Sequence, residues 1–216
     1  MNMSTKYRKY PRTPHLPWSG YASGDDRMLD SISHFDGREV VVLEKMDGEN
    51  TTMYRDHIHA RSLDSAHHPS RTQAKRIHAE VAHEIPKDWR VCGENMQACH
   101  SIFYADLPDY FLVFSIWDER NRAISWDDTL EWCRLLGLTP VPELFRGTWD
   151  EARVRAISVD TSKAEGYVVR VASAFGYQEF SRSVAKWVRP DHVQTDDGWR
   201  HQEIVENQIV DRGRKT

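Results

Sequence analysis

The chain has 216 residues, of which 39% are hydrophobic and 29% are charged, a composition typical of one soluble domain. Mean hydropathy is -0.69, and no apolar run approaches the roughly 18 residues that a membrane span needs, so a membrane protein is excluded. The formal net charge of -4 excludes a general polycation, and any surface for nucleic acid must therefore be local.

Cysteine usage and the N-terminal sequence predict the compartment. Cys92, Cys99 and Cys133 show no CxxC spacing, which argues against a disulfide framework and against a thiolate metal site. The first residues are basic and aromatic, without the apolar segment of a secretory signal. We therefore expect a reducing, cytoplasmic location.

The N-terminal residues are predicted to be largely irregular. Residues 1–22 form a basic arm in this interpretation, because several prolines and Gly20 interrupt any regular element. Asp25-Asp26 then offers a helix N-cap, so a short helix through Ile32 is expected.

Strands are predicted next along the chain. The apolar run from Val40 to Leu43 indicates a buried strand over residues 38–44. The turn signal at Asp47-Gly48 predicts a hairpin into a second strand at 51–54, with a third strand at 58–62.

The remainder of the chain alternates between helical and strand-like segments. Helices are expected at 70–84 with Ser70 as its cap, at 127–136 ended by Gly137, at 149–157 and at 203–210; strands are expected at 89–94, 110–117, 167–171 and 180–188. Strands interrupted by helices, with hairpin-like neighbours, predict an α+β fold with antiparallel sheets.

The sequence around Lys45 carries the clearest chemical signal. Lys45 stands where a buried strand reaches the Asp47-Gly48 turn, so its amine should be partly desolvated and aimed into a cleft. Desolvation and nearby cations lower the pKa of a lysine, and a neutral amine is a nucleophile. Gly48 would let the backbone approach a ligand closely. Taken alone, however, Lys-x-Asp-Gly is more typical of an ordinary exposed hairpin turn.

Further short motifs follow in a fixed order. After Lys45 to Asn50 come Arg61-Ser62, Gly93-Glu94, Phe114 with Asp118, Glu165-Gly166-Tyr167-Val168 and Lys186. This series resembles the covalent nucleotidyltransferase superfamily of polynucleotide ligases and mRNA capping enzymes, and within it the RNA ligase 2 branch. The resemblance covers nearly the whole chain. It implies a ligase adenylation-domain fold, with antiparallel sheets flanked by helices.

The resemblance also implies a reaction. Lys45 would attack the α-phosphorus of ATP, forming lysyl-AMP and releasing pyrophosphate, with Mg²⁺ or Mn²⁺ as the cofactor. AMP would then pass to a 5′-phosphate RNA end, and a 3′-OH would displace it to seal the strand. Lys186 is the second implied catalytic residue, at the α-phosphate.

Nucleotide and metal contacts are implied residue by residue. Phe114 would stack on adenine, Arg61 would orient a phosphate or the ribose, and Asn50 would contact the AMP phosphate in later steps. Glu165 and Glu94 would hold metal or metal-bound water, and Glu94 would more specifically contact ribose. The residues implied to bind the cofactor are Glu44, Asp47, Gly48, Asn50, Arg61, Glu94, Phe114 and Glu165.

One position departs from the family pattern. The last motif is usually Lys-x-Lys, whereas here Val188 stands two residues after Lys186. Arg189 is one position late and would project from the other face of a strand, so it cannot simply replace the lysine. Unless a bulge re-aims it, either a phosphate contact is lost or Arg182 or another cation supplies it.

Alternative functions remain at this point. DNA ligases and capping enzymes usually carry an oligonucleotide-binding domain after the lysine motif, and the 27 residues after Arg189 are too few for one. A nucleotide-binding module without turnover is a third interpretation, motivated by Val188. We expect one adenylyltransferase domain over residues 1–216, with residues 190–216 as a short extension, and a separate partner protein could supply substrate binding.

Several charged segments have two interpretations. His57 and His59 alternate on a strand but have no partner that completes a zinc site, so surface or hydrogen-bonded histidines are favoured. Arg71, Lys75 and Arg76 could bind a phosphate backbone or form a solvated helix face. The basic arm and the tail with Arg212, Arg214 and Lys215 carry the same ambiguity.

Overall fold

The computed structural model describes residues 6–20, 27–63, 68–190 and 204–210. These residues form two β-sheets with three α-helices and several 3₁₀ turns. The strands are β1 Glu39–Lys45, β2 Glu49–Tyr54, β3 Ile58–Ala60, β4 Arg90–Asn95, β5 Phe111–Trp117, β6 Arg122–Ala123, β7 Thr139–Pro140, β8 Glu143–Thr148, β9 Gly166–Val171, β10 Phe175–Gly176 and β11 Val184–Val188. The helices are α1 Thr72–Val81, α2 Trp126–Leu136 and α3 Glu151–Arg155.

The strands divide into two sheets. Sheet A is antiparallel with the order β11-β9-β1-β8. Sheet B has the order β10-β6-β5-β4-β2-β3 and is antiparallel along that path, while the short β7 adds to β5 in parallel. The fold is therefore α+β with antiparallel sheets flanked by helices, as the sequence predicts.

Apolar side chains fill the space between the sheets. Val41 and Leu43 of β1 pack with Leu112 of β5 and with Trp126 of α2, all of them buried. Burying one such side chain contributes about 1.5–3 kcal/mol, so this layer holds the two sheets together. The other face of sheet B is covered by α1 through Ala74 and Ile77 and by α2.

Local signals account for the limits of α2. The Ser125 hydroxyl accepts a hydrogen bond from the Asp128 amide at the N-terminus. Gly137 follows the last turn with a φ of 66°, a left-handed conformation that favours glycine. With 11 residues, α2 is too short to cross a bilayer, and no helix of the described residues is long and apolar enough to do so.

The predicted hairpin at Asp47-Gly48 is wrong. β1 pairs with β8 and β9 in sheet A, whereas β2 pairs with β3 and β4 in sheet B. The chain therefore crosses from one sheet to the other at residues 46–48. The hairpin forms one strand later, between β2 and β3, where the Tyr54 amide donates to the His57 carbonyl.

Other element predictions need correction. The helix expected at 203–210 is extended over the described residues 204–210, where Glu206 and Ile209 form isolated β-bridges. The helix expected through Ile32 is only a 3₁₀ turn at Ser33–Phe35, and Asp25-Asp26 lies outside the described residues. The strand expected at 180–188 begins at Val184, after a 3₁₀ segment.

The cap of the helix expected at 70–84 is also different. Ser70 lies inside a 3₁₀ turn, and the His68 side chain accepts from its amide instead. The α-helical part is limited to α1, because a second 3₁₀ turn at Ala82–Glu84 precedes Pro86.

Candidate active site

Lys45 and Glu165 form an ion pair where β1 ends and β9 begins. The Lys45 ammonium donates to the Glu165 carboxylate, and their side chains are 23% and 5% exposed. The pair is also fixed through the backbone, because the Glu165 amide donates to the Lys45 carbonyl at 3.1 Å. The β1–β9 register, which places Lys45 opposite Gly166, thus brings two sequence motifs 120 residues apart into contact.

The charge state of Lys45 differs from the expectation. Burial lowers the pKa of Lys45, but the negative charges of Glu165, Glu94 and Asp47 raise it by more, so it lies above its ordinary value. In the absence of metal and nucleotide the amine is therefore held as an ammonium. The expected lowering of its pKa requires cations that the described residues do not supply.

Sheet B contributes Glu94 to the same cluster. Glu94 lies on β4 directly opposite Asn50 of β2. Burial raises the pKa of Glu94 and Lys45 lowers it, but Glu165, Asp47 and Glu49 raise it further, to about 8. Glu94 therefore retains a proton near neutral pH, chiefly because it is buried and secondarily because these carboxylates add negative charge.

The residues after Lys45 form a tightly held crossing between the sheets. Asp47 Oδ2 accepts hydrogen bonds from the Ser101 amide at 2.8 Å, the Ser101 hydroxyl at 2.6 Å and the Ile102 amide at 2.9 Å. A Cβ on Gly48 would lie 2.6 Å from the Asn95 carbonyl oxygen and 2.8 Å from Met96 Sδ. Asp47 thus anchors a neighbouring loop, and Gly48 allows the close approach to β4.

Lys186 lies across β9 from Lys45. It is opposite Val168 in the β9–β11 register, and Lys45 is opposite Gly166, so both lysines project from the same face of sheet A. Lys186 is 8% exposed. Its backbone amide donates to the Pro14 carbonyl of the arm, and its carbonyl accepts from the Leu16 amide.

The position of the missing second lysine is occupied by a buried valine. Val188 is buried opposite Gly166. Arg189 is directed elsewhere, since its guanidinium donates to the Thr161 carbonyl at 2.8 Å. The expectation that Arg189 does not replace the lysine therefore agrees with the structure. Arg182 is the last residue of the 3₁₀ segment that precedes β11. Its carbonyl accepts a hydrogen bond from the Arg38 guanidinium, and its positive charge acts on His34.

Phe114 is partly buried on β5 and packs with residues of both sheets. The ring of Tyr10, from the arm, lies edge-on to Phe114 with centroids 5.0 Å apart. The backbone of Phe114 is tied to sheet A, because the guanidinium of Arg170 donates to its carbonyl at 3.4 Å and to the Ile124 carbonyl at 2.9 Å. Burial lowers the pKa of Arg170 to about 10.

Two expected residues lie at the margin of the cluster. Arg61 is exposed and follows Ala60, which pairs with Thr51, so it emerges at the same end of sheet B as Asn50. Glu44 pairs with Tyr167, and strand alternation directs its side chain to the face of sheet A opposite to that of Lys45. Burial raises the pKa of Glu44.

Sequence reasoning missed the residues that support the crossing. Tyr104 is buried, and its hydroxyl accepts from the Asp47 amide at 3.1 Å. Arg71, expected to bind phosphate or solvent, forms a bidentate pair with Glu49 at the start of β2. Both contacts join segments more than 20 residues apart, and no local pattern in the sequence indicates them.

His57 and His59 are engaged in contacts within the protein. His59 is buried and hydrogen-bonded to the Ala60 carbonyl, and His57 stacks on Tyr7. Within the ranges that the structure describes, no group of three or more His, Cys, Asp or Glu side chains could hold a metal ion on its own. The basic arm makes protein contacts, since Lys6 pairs with Asp56, whereas the basic tail residues lie outside the described ranges.

Solved structures of a known RNA ligase share the fold of this chain. The Naegleria gruberi RNA ligase with PPi matches at a TM-score of 0.57 and 16% identity, over 84% of this chain and 61% of that chain. A mutant of that ligase with ATP and Mn matches at 0.59 and 17% identity, over 85% of this chain and 56% of that chain. At this identity the likeness concerns the fold, and the chain spans about three fifths of the length of those ligase chains.

A search of curated proteins found no match. The sequence profile of the RNA ligase family, in contrast, matches residues 38–188, from the residue before β1 to the end of β11. This match spans more than two thirds of the chain and includes Lys45, Glu94, Glu165 and Lys186. The chain therefore belongs to the RNA ligase family.

Proposed function

We propose that the chain is an ATP-dependent RNA ligase in which Lys45 is the nucleophile. The observation that carries the proposal is the cluster at the end of β1, where Lys45 meets Glu165 and Glu94 and faces the same side of sheet A as Lys186. A partly buried lysine whose pKa is shifted by neighbouring acidic groups is a recurrent feature of functional sites.

The first step would be adenylylation of Lys45. Once it has lost a proton, Nζ would attack the α-phosphorus of ATP; an N–P bond forms, and the P–O bond to pyrophosphate breaks. Lys186 would bind an α-phosphate oxygen. In the second step AMP passes to a 5′-phosphate RNA end, and in the third a 3′-OH attacks that phosphate and releases AMP.

The donor set fits a divalent cation. Carboxylates are the ligands that Mg²⁺ prefers, and a nucleotide-bound Mg²⁺ keeps several waters, so Glu165 and Glu94 suffice without a complete protein cage. Burial and the neighbouring carboxylates raise the pKa of Glu94, and a bound cation would favour its ionised form. Such a cation would screen the negative charge of the triphosphate. It would also offset the carboxylate charges that raise the pKa of Lys45.

Other residues would position the substrates. Phe114 would stack on the adenine ring, Glu94 would also contact ribose, and Asn50, which lies opposite Glu94, would contact the AMP phosphate in the later steps. Arg61 would orient a phosphate or the ribose. The described residues offer few cations near the cluster, so we expect part of the RNA affinity to come from a separate substrate-binding protein.

The similar structures support the choice of cofactors. The Naegleria ligase was studied with ATP and Mn and with PPi, which are the nucleotide, a divalent metal and the leaving group of the proposed first step. For this chain the same cofactors, with Mg²⁺ as an alternative to Mn²⁺, are part of the proposal.

Labelling with α-labelled ATP tests the proposal directly. With Mg²⁺ or Mn²⁺, we expect label that remains on the denatured protein and is lost in Lys45→Ala. Lys163→Ala is a matched control, because Lys163 is an exposed lysine whose side chain pairs only loosely with Asp160. Label that survives Lys45→Ala, or none from ATP, contradicts the proposal, and label from GTP instead indicates a capping-type enzyme.

Strand specificity needs a second experiment. Nicked duplexes that carry ribose or deoxyribose at the 3′-OH end should be sealed at different rates, with ribose preferred. Equal sealing of deoxyribose ends would contradict the assignment to RNA while leaving the lysyl-AMP step intact.

A further inference from the structure

The extended segment of residues 204–210, which we call the C-terminal strap, runs along the loop of residues 96–107. The two segments are joined by a series of backbone hydrogen bonds of 2.8–3.0 Å, from the amides of Cys99, Leu107, Asn207, Gln208 and Val210 to carbonyls of the other segment. The strap thus lies on the loop that anchors the crossing after Lys45.

Asn207 is the centre of this contact and is 1% exposed. Its side-chain amide donates to the Met96 carbonyl at 2.8 Å and to the Ala98 carbonyl at 3.2 Å, and its Oδ1 accepts from the Tyr104 amide at 2.9 Å. Its backbone carbonyl also accepts from the Tyr110 hydroxyl at 3.1 Å. A buried amide with its donors and acceptor engaged in this way fixes the loop in one conformation.

Tyr104 carries the connection onward to the candidate active site. The strap binds both backbone groups of Tyr104. The amide donates to Asn207 Oδ1, and the carbonyl accepts from the Gln208 amide at 2.8 Å. Its hydroxyl accepts from the amide of Asp47, two residues after Lys45. A continuous chain of hydrogen bonds therefore runs from Asn207 through Tyr104 to the residues that follow Lys45.

We propose that the C-terminal strap positions Lys45 for nucleotidyl transfer, with Asn207 and Tyr104 as positioning residues that act through Asp47. The inference rests on the function proposed above. It means that the strap, which lies outside the segment matched by the family profile, helps to hold the candidate active site in place. An in-line attack requires the amine to be held within a fraction of an ångström, so a loosened crossing should slow the chemical step.

Tyr104→Phe is the sharpest variant, because it keeps the ring in the core and removes only the acceptor for the Asp47 amide. Tyr177→Phe is its matched control, since it also loses one phenolic hydrogen bond, here to the Lys9 carbonyl of the arm, which lies outside the chain of contacts from Asn207 to Asp47. We expect faster amide exchange at Asp47 in Tyr104→Phe alone. The single-turnover labelling rate at saturating ATP should fall by about tenfold, with a smaller change in the ATP concentration for half-maximal rate.

Asn207→Ala tests the same inference from the strap. Gln208→Ala is its control, because Gln208 is exposed and contacts the loop through its backbone. Asn207→Ala should raise amide exchange at Asp47, Ser101 and Ile102 and lower the labelling rate, whereas Gln208→Ala should match the unmodified protein. Thermal unfolding of every variant separates a loss of folded protein from a loss of rate.

The outcomes separate this inference from the proposed function. If the unmodified protein takes label while Tyr104→Phe matches Tyr177→Phe in rate and in Asp47 exchange, the inference is wrong and the proposed function stands. A rate that falls only in proportion to the folded fraction overturns it as well. If the unmodified protein takes no label, the proposed function fails first, and unchanged exchange at Asp47 would then also refute the structural link.

Discussion

Glu94 keeps a proton near neutral pH, whereas a carboxylate in an exposed cluster of charges would be ionised. Glu94 shares its surroundings with Glu165, Asp47 and Glu49 and with the single ammonium of Lys45. Two carboxylates that are close together and poorly solvated cannot both ionise without a cost, so one of them keeps its proton to a higher pH. Binding of nucleotide and metal would then be accompanied by proton release.

The pH dependence of stability tests this at Glu94. Its pKa is about 8 in the folded protein against 4.5 as the ordinary value, so proton binding favours the folded state. The contribution is fully present below the unfolded pKa and is lost as pH rises through about 8. We predict that the free energy of unfolding in urea declines between about pH 5.5 and 8.5 more steeply in the unmodified protein than in Glu94→Gln.

An exposed glutamate provides the comparison for this titration. Glu131→Gln removes a carboxylate whose pKa is lowered by its pairing with Arg134, so it is ionised throughout this pH range in both states. Its unfolding free energy should therefore follow that of the unmodified protein. A constant difference between Glu94→Gln and the unmodified protein across the same pH range would show that Glu94 does not hold the proton.

At the level of elements, β9 depends on an unusually close approach to β11. A Cβ on Gly166 would lie 2.0 Å from the Trp187 carbonyl oxygen, and Gly166 has a φ of 157°. Gly166→Ala should therefore force the two strands apart and destabilise the protein by about 3 kcal/mol, in the range of severe core changes. Because Glu165 and Lys186 flank this contact in the two strands, lysine labelling should fall as well.

Gly37→Ala is the control for the backbone effect. Gly37 has a φ of 71°, but no neighbouring atom lies within 4 Å of the point that an alanine Cβ would occupy. Only the cost of a left-handed alanine therefore applies, about 1–2 kcal/mol. Urea unfolding of the two variants gives the comparison. An equal loss of unfolding free energy in Gly166→Ala and Gly37→Ala would mean that the strands adjust to the close contact with Trp187 without cost.

The elements also show what local sequence patterns can predict. β1, β4, β5, β9 and α2 follow from apolar runs and from caps such as Gly137, and these elements carry most of the candidate site. The crossing at Asp47-Gly48 does not follow from its residues, because a turn dipeptide carries no information on which sheet receives the next strand. The helix that the sequence predicts for the strap is wrong. The contacts that hold Asn207 in an extended segment come from residues about 100 positions earlier, and a local pattern cannot indicate them.

The candidate site is assembled from both sheets. Sheet A supplies Lys45 and Lys186, sheet B supplies Glu94 and Phe114, and the arm and the strap attach to the two sides of this arrangement. The arm also bridges the sheets, from Tyr7 on Tyr54 to the backbone pairing with β11. Relative motion of the two sheets would therefore change the distance between Lys45 and the sheet B residues that we propose contact the nucleotide.

The charge of the whole molecule predicts weak RNA binding with a shallow salt dependence. The chain has a net charge of -4, and the cations assigned to the proposed site are Lys45, Lys186 and Arg61. Each phosphate neutralised on a single strand contributes about -0.7 to the slope of log K against log salt, so three contacts predict a slope of about -2. Fluorescence titrations of a single-stranded RNA at several salt concentrations measure it, with Lys163→Ala as the unchanged control. A slope of about -5 or steeper would mean that the arm or other basic surfaces bind the phosphate backbone.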